Sequence, residues 1–495
     1  MATNSGIAFA GDHSGFKMRS NMPSFASIRV LFDKLKMTLQ KTQLAIRMLL
    51  NQKIRMKIRV LPFLILILLV MTHLHAQTNE QLKHLVYADS LRLVEIYKDL
   101  HQNPEPGFME VRTSGIIAKE LKLLGYEVIT GIGKTGLVGI YKNGVGPTVM
   151  YRADMDCNSV KEITGLPYAS TKIMKKQDGT ETPVMHACGH DAHVSWMLGV
   201  AKIMMTLKNN WKGTLVFLAQ PAEELLTGAQ AMVDDSMYAK GVPVPDYLLG
   251  LHTTTLPLGT IDNGAGIRMS GSDQLDVTFY GIGGHGARPE DTKDPIVMAC
   301  NAVMQYQTII SRSIAAQDVA VLTVGAMSAG TDNNVIPATA TLKVNLRWFN
   351  EQTRNTLLDG IKRINEGIAV ANGLSKEQYP TIKMKGKVFP LENNAALTNK
   401  INTALGAIIT PANILTNTPA SMGAEDFQNL VKGNYKTTCN YINVGIANPA
   451  VYVKAKEEGK KAPFFLHANN YQVDLGGIPL GTEIRATALI AIFNN

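Results

Sequence analysis

The sequence predicts an α/β protein: a main domain with a mostly parallel sheet flanked by helices, interrupted by a smaller inserted βαββαβ (ferredoxin-like) domain. Three observations predict it. From about Gln81 short apolar strand-like runs alternate with helical patterns, as crossover-connected parallel strands require. Near residue 268 the order changes to strand, helix, two strands, helix, strand, and after residue 386 the first pattern resumes. The 495 residues exceed what one core usually takes. The expected organisation is a leader over 1–76, a first part of the main domain over 77–267, the insert over 268–386 and a second part over 387–495.

Residues 81–103 and 112–124 read as amphipathic helices, and "PTVMYRAD" (147–154) as an apolar strand ending in acid. Residues 193–208 carry Val194, Met197, Leu198, Ala201, Met204 and Met205 at helical spacing. "TLVFLAQ" (214–220) and "DYLLGLH" (246–252) are further buried strands. In the insert, "QLDVTFYG" (274–281), "AVLTVGAM", "ATLKVNLRWF" and "YPTIKMKG" (379–386) are strands, and 294–314 and 351–371 are helices. Helices over 395–409 and 479–493 flank a last strand, "CNYINVGI" (439–446). The charged run "KAKEEGKKAP" (454–463) reads as a solvated loop.

The net charge of +9 points to nucleic acid only until it is located. Residues 1–76 hold 11 Lys and Arg against 2 Asp and Glu, so the remainder, with 38 of each sign, is neutral. No nucleic-acid surface is implied. "MKIRVLPFLILILLVMTHLHAQ", from Met56, has the layout of a signal peptide, with cleavage expected after Ala76. Its apolar run falls short of the roughly 20 residues of a membrane span. The reading is an exported protein whose true start is Met56. An uncleaved internal anchor behind a basic tail is the alternative and the only expected membrane contact. Four cysteines (Cys157, Cys188, Cys300, Cys439) are too few for a disulfide framework, though one pair stays open.

Polar residues fall where strands end. Strand 147–154 ends in Asp154, with Asp156 beyond; strand 214–220 runs into Glu223 and Glu224; strand 246–252 ends on His252. "MHACGHDAH" (185–193) precedes a helix, and "FFLHANN" places His467 after an apolar run. Sites in open α/β sheets form beyond the carboxyl ends of strands. Thiol, imidazole and carboxylate together suit a divalent first-row metal, zinc or manganese. Adjacent glutamates suggest one metal ligand and one general base acting on a metal-activated water. A nucleophilic Cys188 is the rival, but it leaves Glu223, Glu224, His252 and His467 without a role.

The ordered motifs "YRADMD", "MHACGHDAH", "QPAEE", "GLH" with "LPLGTI", "GGHGARP", "NVIPATA", "GAEDF" and "FLH" occupy sensible distances over nearly all of 85–490. In these the chain resembles the amidohydrolase branch of the dinuclear metallo-exopeptidases, with hippurate hydrolases, N-acyl-amino-acid amidohydrolases and auxin-conjugate hydrolases. The resemblance implies two divalent ions held by Cys188, His190, Glu224, His252 and His467, with Glu223 as general base and Asp156 beside the metal pocket. It implies that His285 of the insert polarises the scissile carbonyl, commonly across a dimer, and that Asn334 and Arg347 read the substrate carboxylate. The insert would then be a lid and dimerisation domain, and the expected assembly a homodimer.

The implied reaction is hydrolysis of the amide bond of an N-acyl amino acid or related conjugate. A dipeptidase or carboxypeptidase of the same broad family is the second reading, and an inactive metal-stabilised peptide-binding protein the third. His186, His193 and Asp154 are read as supporting or structural groups, and Asp426 as a pocket-shaping or capping group. The chain departs from the family pattern in "RADMDCNSV", where "RADMDALP" is usual, in "GHDAHV" for "GHDGHT", and in "LHANN" for "LHSP". None of these removes a proposed ligand; all alter the pocket wall.

Overall fold

The computed structural model describes residues 29–30, 33–48, 50, 80–176, 179–431, 433 and 436–494. The chain divides into two units, Met1–Gln77 and Thr78–Asn495. In the first, residues 33–48 form an exposed helix. The expected signal sequence and the start at Met56 lie outside the described residues. Among the described residues no helix is long and apolar enough to cross a membrane.

The second unit opens with helices α1 (Ser90–Gln102) and α2 (Val111–Leu123) and strands β1 (Glu127–Ile132), β2 (Gly136–Asn143) and β3 (Thr148–Asp154). Helix α3 (His190–Thr206), strand β4 (Gly213–Gln220), short helix α4 (Gly228–Asp234) and strands β5 (Tyr247–Pro257) and β6 (Ile261–Asp262) follow. An antiparallel module comes next: β7 (Gly271–Tyr280), α5 (Pro295–Thr308), β8 (Ala320–Ala329), β9 (Thr339–Trp348), α6 (Glu351–Ala371) and β10 (Thr381–Val388). Helix α7 (Ala395–Leu405), strands β11 (Ile414–Leu415) and β12 (Thr438–Ala447), and helices α8 (Pro449–Glu457) and α9 (Gly477–Phe493) complete the unit.

The large sheet runs β1-β2-β4-β3-β5-β12-β6-β11. Its middle strands β4, β3, β5 and β12 are parallel, and the hairpin β1–β2 adds an antiparallel edge. Both faces are covered, which is why its strands read as continuous apolar runs. Leu215, Phe217 and Ala219 of β4 face the core shared with α1, α3 and α9, while Val216 and Leu218 face a second core with Met232 and Phe427. Helix α3 is buried on nearly all sides. It crosses α9 closely, where Trp196 donates its indole N–H to the Gly477 carbonyl at 2.9 Å.

The antiparallel sheet runs β8-β9-β7-β10. With α5 and α6 it has its own core, centred on Phe279, Tyr306, Leu342 and Trp348. Asp294 caps α5 ahead of Pro295, and Asn350 caps α6 by accepting from the Thr353 N–H at 2.8 Å.

Several local expectations change. The helix expected over 81–103 is interrupted at Asp89, whose carboxylate pairs with Arg92 and Lys202. The helix expected over 294–314 ends at Thr308 and gives way to a π turn, Ile309–Ser313. The first part of the expected loop 454–463 belongs to α8, which Asn448 and Pro449 start. Strand β5 runs five residues past His252, to Pro257, because β12 keeps pairing with it. All four cysteines are free thiols, so the disulfide left open does not form.

Candidate functional site

Strands β3 and β5 pair only from Val149–Tyr247 to Arg152–Gly250 and then diverge. Into the crevice beyond their carboxyl ends point Asp154, Asp156 and His252, joined by the turn that opens α3. That turn depends on Gly189, whose φ is 82°. A Cβ at this position would lie 2.5 Å from the Tyr471 hydroxyl and 2.6 Å from Thr253 Oγ1. Only glycine lets the turn pass so close, and it sets Cys188 and His190 side by side.

The structure gathers the five expected ligand residues and Glu223. Cys188 Sγ lies 3.5 Å from His252 Nε2 and 3.3 Å from His467 Nε2. His467 Nε2 is 3.3 Å from Glu224 Oε1. His190 Nε2 is 3.8 Å from both Glu223 Oε2 and Glu224 Oε1. Cys188, Glu224 and His467 form one group of convergent donors, and His190, Glu223 and Glu224 a second, with Glu224 common to both. Three non-glycine residues here have left-handed backbone: Ala222 (φ 49°) and Leu226 (φ 54°) bracket the glutamates, and His467 itself has φ 64°. Strain at such positions is tolerated where surrounding structure over-determines it.

Supporting groups aim the imidazoles. His190 Nδ1 is 3.2 Å from Asp156 Oδ1, and Asp156 Oδ2 accepts the Glu224 backbone N–H at 3.0 Å. His252 Nδ1 donates to the Thr253 carbonyl at 2.7 Å, which leaves its Nε2 lone pair facing Cys188. His193 bridges Asp154 Oδ1 (2.5 Å) and the Thr253 N–H (2.9 Å). Ring orientation of this kind is what metal-ligating histidines require.

The donor set fits divalent cations. His190 Nε2 and Glu224 Oε1 are buried without a hydrogen-bond partner, although His467 Nε2 stands 3.3 Å from that oxygen. Close approach without alignment fits two donors facing a common third body. Burial and the neighbouring carboxylates push the Cys188 thiol well up, the opposite of what a nucleophilic thiolate needs. Burial also raises Glu223 well above the carboxylate range, helped by Glu425, Glu224 and Asp426. Burial tends to lower His190, but Asp154, Asp156 and Glu224 outweigh it and hold the ring protonated up to about 10. A cation entering here would displace that proton.

Arg347, from β9, reaches the same cleft, a cavity of about 490 Å³ that also exposes Cys188, Glu223, Glu224, His252 and His467. Its Nε donates to Asn345 Oδ1 at 2.8 Å, and among the described residues no carboxylate lies within ion-pair distance of its guanidinium. His285 and Asn334 are not brought to this cleft. They sit together, exposed, where the short strand Gly284–His285 pairs with Val335–Ile336. There the Gly286 N–H donates to the Asn334 carbonyl at 2.8 Å.

A buried ionic network beneath the site was not legible in the sequence. Arg152 contacts Asp154 at 2.5 Å, Glu425 at 2.8 Å and Asp426 at 3.3 Å. Tyr441 donates to Glu425 at 2.5 Å. Asp426 accepts from Gln220 and from the Ala229 N–H at the start of α4; burial and Glu425 push it up to about 8. Glu110 accepts from the Ala222 N–H at 2.8 Å and so props the loop before Glu223. Apolar context around "YRAD" and "GAEDF" was the available signal, but pairing across 273 residues left no periodic trace.

Comparison with known proteins agrees with this geometry. Residues 150–458 match the pattern of peptidase family M20/M25/M40. The hippurate hydrolase of Campylobacter jejuni is 40% identical over 284 residues, 57% of this chain and 70% of that protein. Thermostable carboxypeptidase 2 of Saccharolobus solfataricus is 32% identical over 423 residues, 84% of this chain and 99% of that one. Among solved structures, the YXEP protein of Bacillus subtilis, a dinuclear metal-binding peptidase of the M20 family, superposes with a TM-score of 0.64 at 25% identity. That match covers 82% of this chain and 99% of the other. With the family pattern spanning more than half of its length, the chain belongs to peptidase family M20/M25/M40.

Proposed function

We propose that the chain is a metal-dependent amidohydrolase that cleaves the amide bond of N-acyl amino acids or related conjugates. The observation that carries the substrate class is Arg347, which has no carboxylate partner among the described residues and shares one cleft with Glu223 and the convergent donors. A guanidinium so placed suits the carboxylate of an amino-acid moiety. Cys188, His190, Glu224, His252 and His467 would hold two divalent ions, zinc or manganese by the mixture of thiolate, imidazole and carboxylate. When bound, such ions polarise the scissile carbonyl and acidify a water.

The chain's own residues do the rest. Asp156 and the Thr253 carbonyl fix the tautomers of His190 and His252. Glu223, raised by burial, takes the proton of the attacking water and returns it to the leaving amine. His285 and Asn334 stand away from their own cleft, which suits action on a second copy's cleft in a homodimer. Export under a signal peptide from Met56 belongs to the same proposal.

A peptidase reading of the same site is supported by the carboxypeptidase relative, since a peptide's terminal carboxylate would meet Arg347 equally well. The test is to purify the full chain, measure bound metal, and screen N-acyl amino acids and dipeptides with and without chelator. Chelator-sensitive release of the amino acid, abolished in Glu223→Gln with metal retained, is the expected result. Bound metal with no turnover of either class would leave a peptide-binding role instead.

A further inference from the structure

Strand β12 brings to the cleft a polar side chain that the reaction above does not use. Along β12, Ile442, Val444 and Ile446 face the core shared with α3 and α9, while Cys439 and Tyr441 face the opposite core. Alternation therefore puts Asn443 on the face of Tyr441. On β5, Leu249 and Leu251 face the first core and Leu248 the second, so His252 shares the face of Asn443. The register pairs Asn443 with His252 on one side and with Asp262 of β6 on the other. The three stand in one row, about 5 Å apart from strand to strand, and all of them line the cleft of about 490 Å³.

Two of the three are committed. His252 uses Nδ1 on the Thr253 carbonyl and turns Nε2 to Cys188. Asp262 accepts from Arg268 at 2.9 and 3.2 Å and from the Thr418 hydroxyl at 2.7 Å. Asn443, between them, is half-buried, and its side-chain amide has no hydrogen-bond partner among the described residues. Neither amide atom is sealed from solvent, so both are open to a molecule in the cleft.

The row also has a direction. His252 belongs to the donor cluster. Asp262 holds Arg268, which comes four residues before Ser272, the cross-strand partner of Arg347. From the donors to Arg347 the cleft wall thus passes His252, Asn443 and then Arg268. A substrate with its amide at the donors and its carboxylate at Arg347 lays the stretch between those two groups, its amino-acid moiety, beside Asn443.

We propose that Asn443 sets the preference for the leaving amino acid, favouring side chains that carry an amide or a hydroxyl. Such a group both donates and accepts, as the Asn443 amide does, whereas the substrate carboxylate only accepts and is met by the fork of Arg347. An apolar side chain in the same place strips water from the Asn443 amide and returns no bond. The assignment rests on the hydrolase reading above and narrows its substrate class.

The test uses the full-length, metal-loaded enzyme and two substrates of similar length, the glutamine and methionine conjugates of the acyl group best accepted in the screen. The wild type should prefer the glutamine conjugate by about tenfold in kcat/KM, the scale of one hydrogen bond. Asn443→Leu, similar in size and breaking no bond within the protein, should bring the ratio to about one or below. Asn443→Ser, which keeps a shorter donor and acceptor, should fall between. Bound metal and far-UV circular dichroism show whether site and fold are kept. Equal use of both conjugates by the wild type, or an unchanged ratio in Asn443→Leu, would overturn the assignment while leaving the hydrolase reading standing. A uniform loss on both conjugates, as a contact to the carboxylate would give, counts among the unchanged ratios. Absence of wild-type turnover on every acyl amino acid and dipeptide screened would remove the hydrolase reading and the assignment with it.

Discussion

Replacing Asp156 by Asn sharpens the question of how the site is held. The two Asp156 oxygens accept from different partners: one from His190 Nδ1 at 3.2 Å, the other from the Glu224 backbone N–H at 3.0 Å. An asparagine has one acceptor to offer. If its Oδ1 faces His190, its N–H₂ meets the Glu224 N–H, donor against donor, and the loop carrying both glutamates shifts. If it turns the other way, its N–H₂ faces His190 Nδ1 and the ring's proton moves to Nε2, which removes the lone pair a metal needs. Each orientation spoils one ligand. Loss of such a supporting partner lowers metal affinity by roughly 10–100-fold, or about 1.4–2.8 kcal/mol. Competition between the protein and a chelator of known zinc affinity measures it. Far-UV circular dichroism and the urea midpoint show whether the fold is kept. An affinity within twofold of the wild type, in a folded variant, would refute the tautomer argument.

Arg347→Met should raise KM for carboxylate-bearing substrates by about 10–100-fold, the worth of charge-assisted bonds, with kcat changed far less; steady-state kinetics on an acyl amino acid and its amide would check it. His101 sits between Asp191 (2.6 Å) and Glu162 (3.2 Å); burial lowers its pKa, but the two carboxylates prevail and hold it at about 9 against an ordinary 6.5. Its stabilisation, on the order of 3 kcal/mol, is therefore complete below about pH 6.5 and lost as pH rises through about 9. Urea midpoints across that range should fall, and His101→Gln should flatten the slope. Gly481→Ala should cost at least ~1–3 kcal/mol, because its Cβ would lie 2.2 Å from Trp196 Cε2. Gly115→Ala, with nothing within 4 Å of its Cβ, should be neutral or slightly stabilising by the same denaturation assay.

Legibility followed the physics of burial. Strands β3, β4 and β12 are covered on both faces, so each announces itself as an apolar run, and the polar residues after their ends stand out. The hairpin β1–β2 did not announce itself, because β1 lies at the sheet edge with an exposed and half-buried pattern and "GIGKTG" reads as a loop. The donors Cys188, His190, Glu223 and Glu224 were readable because they cluster in short motifs. Arg152 with Glu425 was not, since each is an ordinary charged residue until the fold joins them. His285 and Asn334 mark the other limit. Their motifs stood out, yet the fold of a single chain leaves them away from the cleft, because a short pattern does not record where long-range packing will place it.

The placement of β12 in the sheet has a consequence for how the chain is made. Synthesis runs from the amino end, so β5 emerges well before the strand that pairs with it along its length, from Tyr247–Thr438 to Pro257–Ala447. The antiparallel module, with a core of its own, is finished in the interval, while β5 still waits with an open, apolar edge. His467 comes later again. Until Thr438–Ala447 has left the ribosome the growing chain presents an unpaired strand, the kind of surface that holding chaperones bind and that aggregates without them. It also lacks His467, so the donors that converge with Cys188 and Glu224 are not all present until that residue too has emerged.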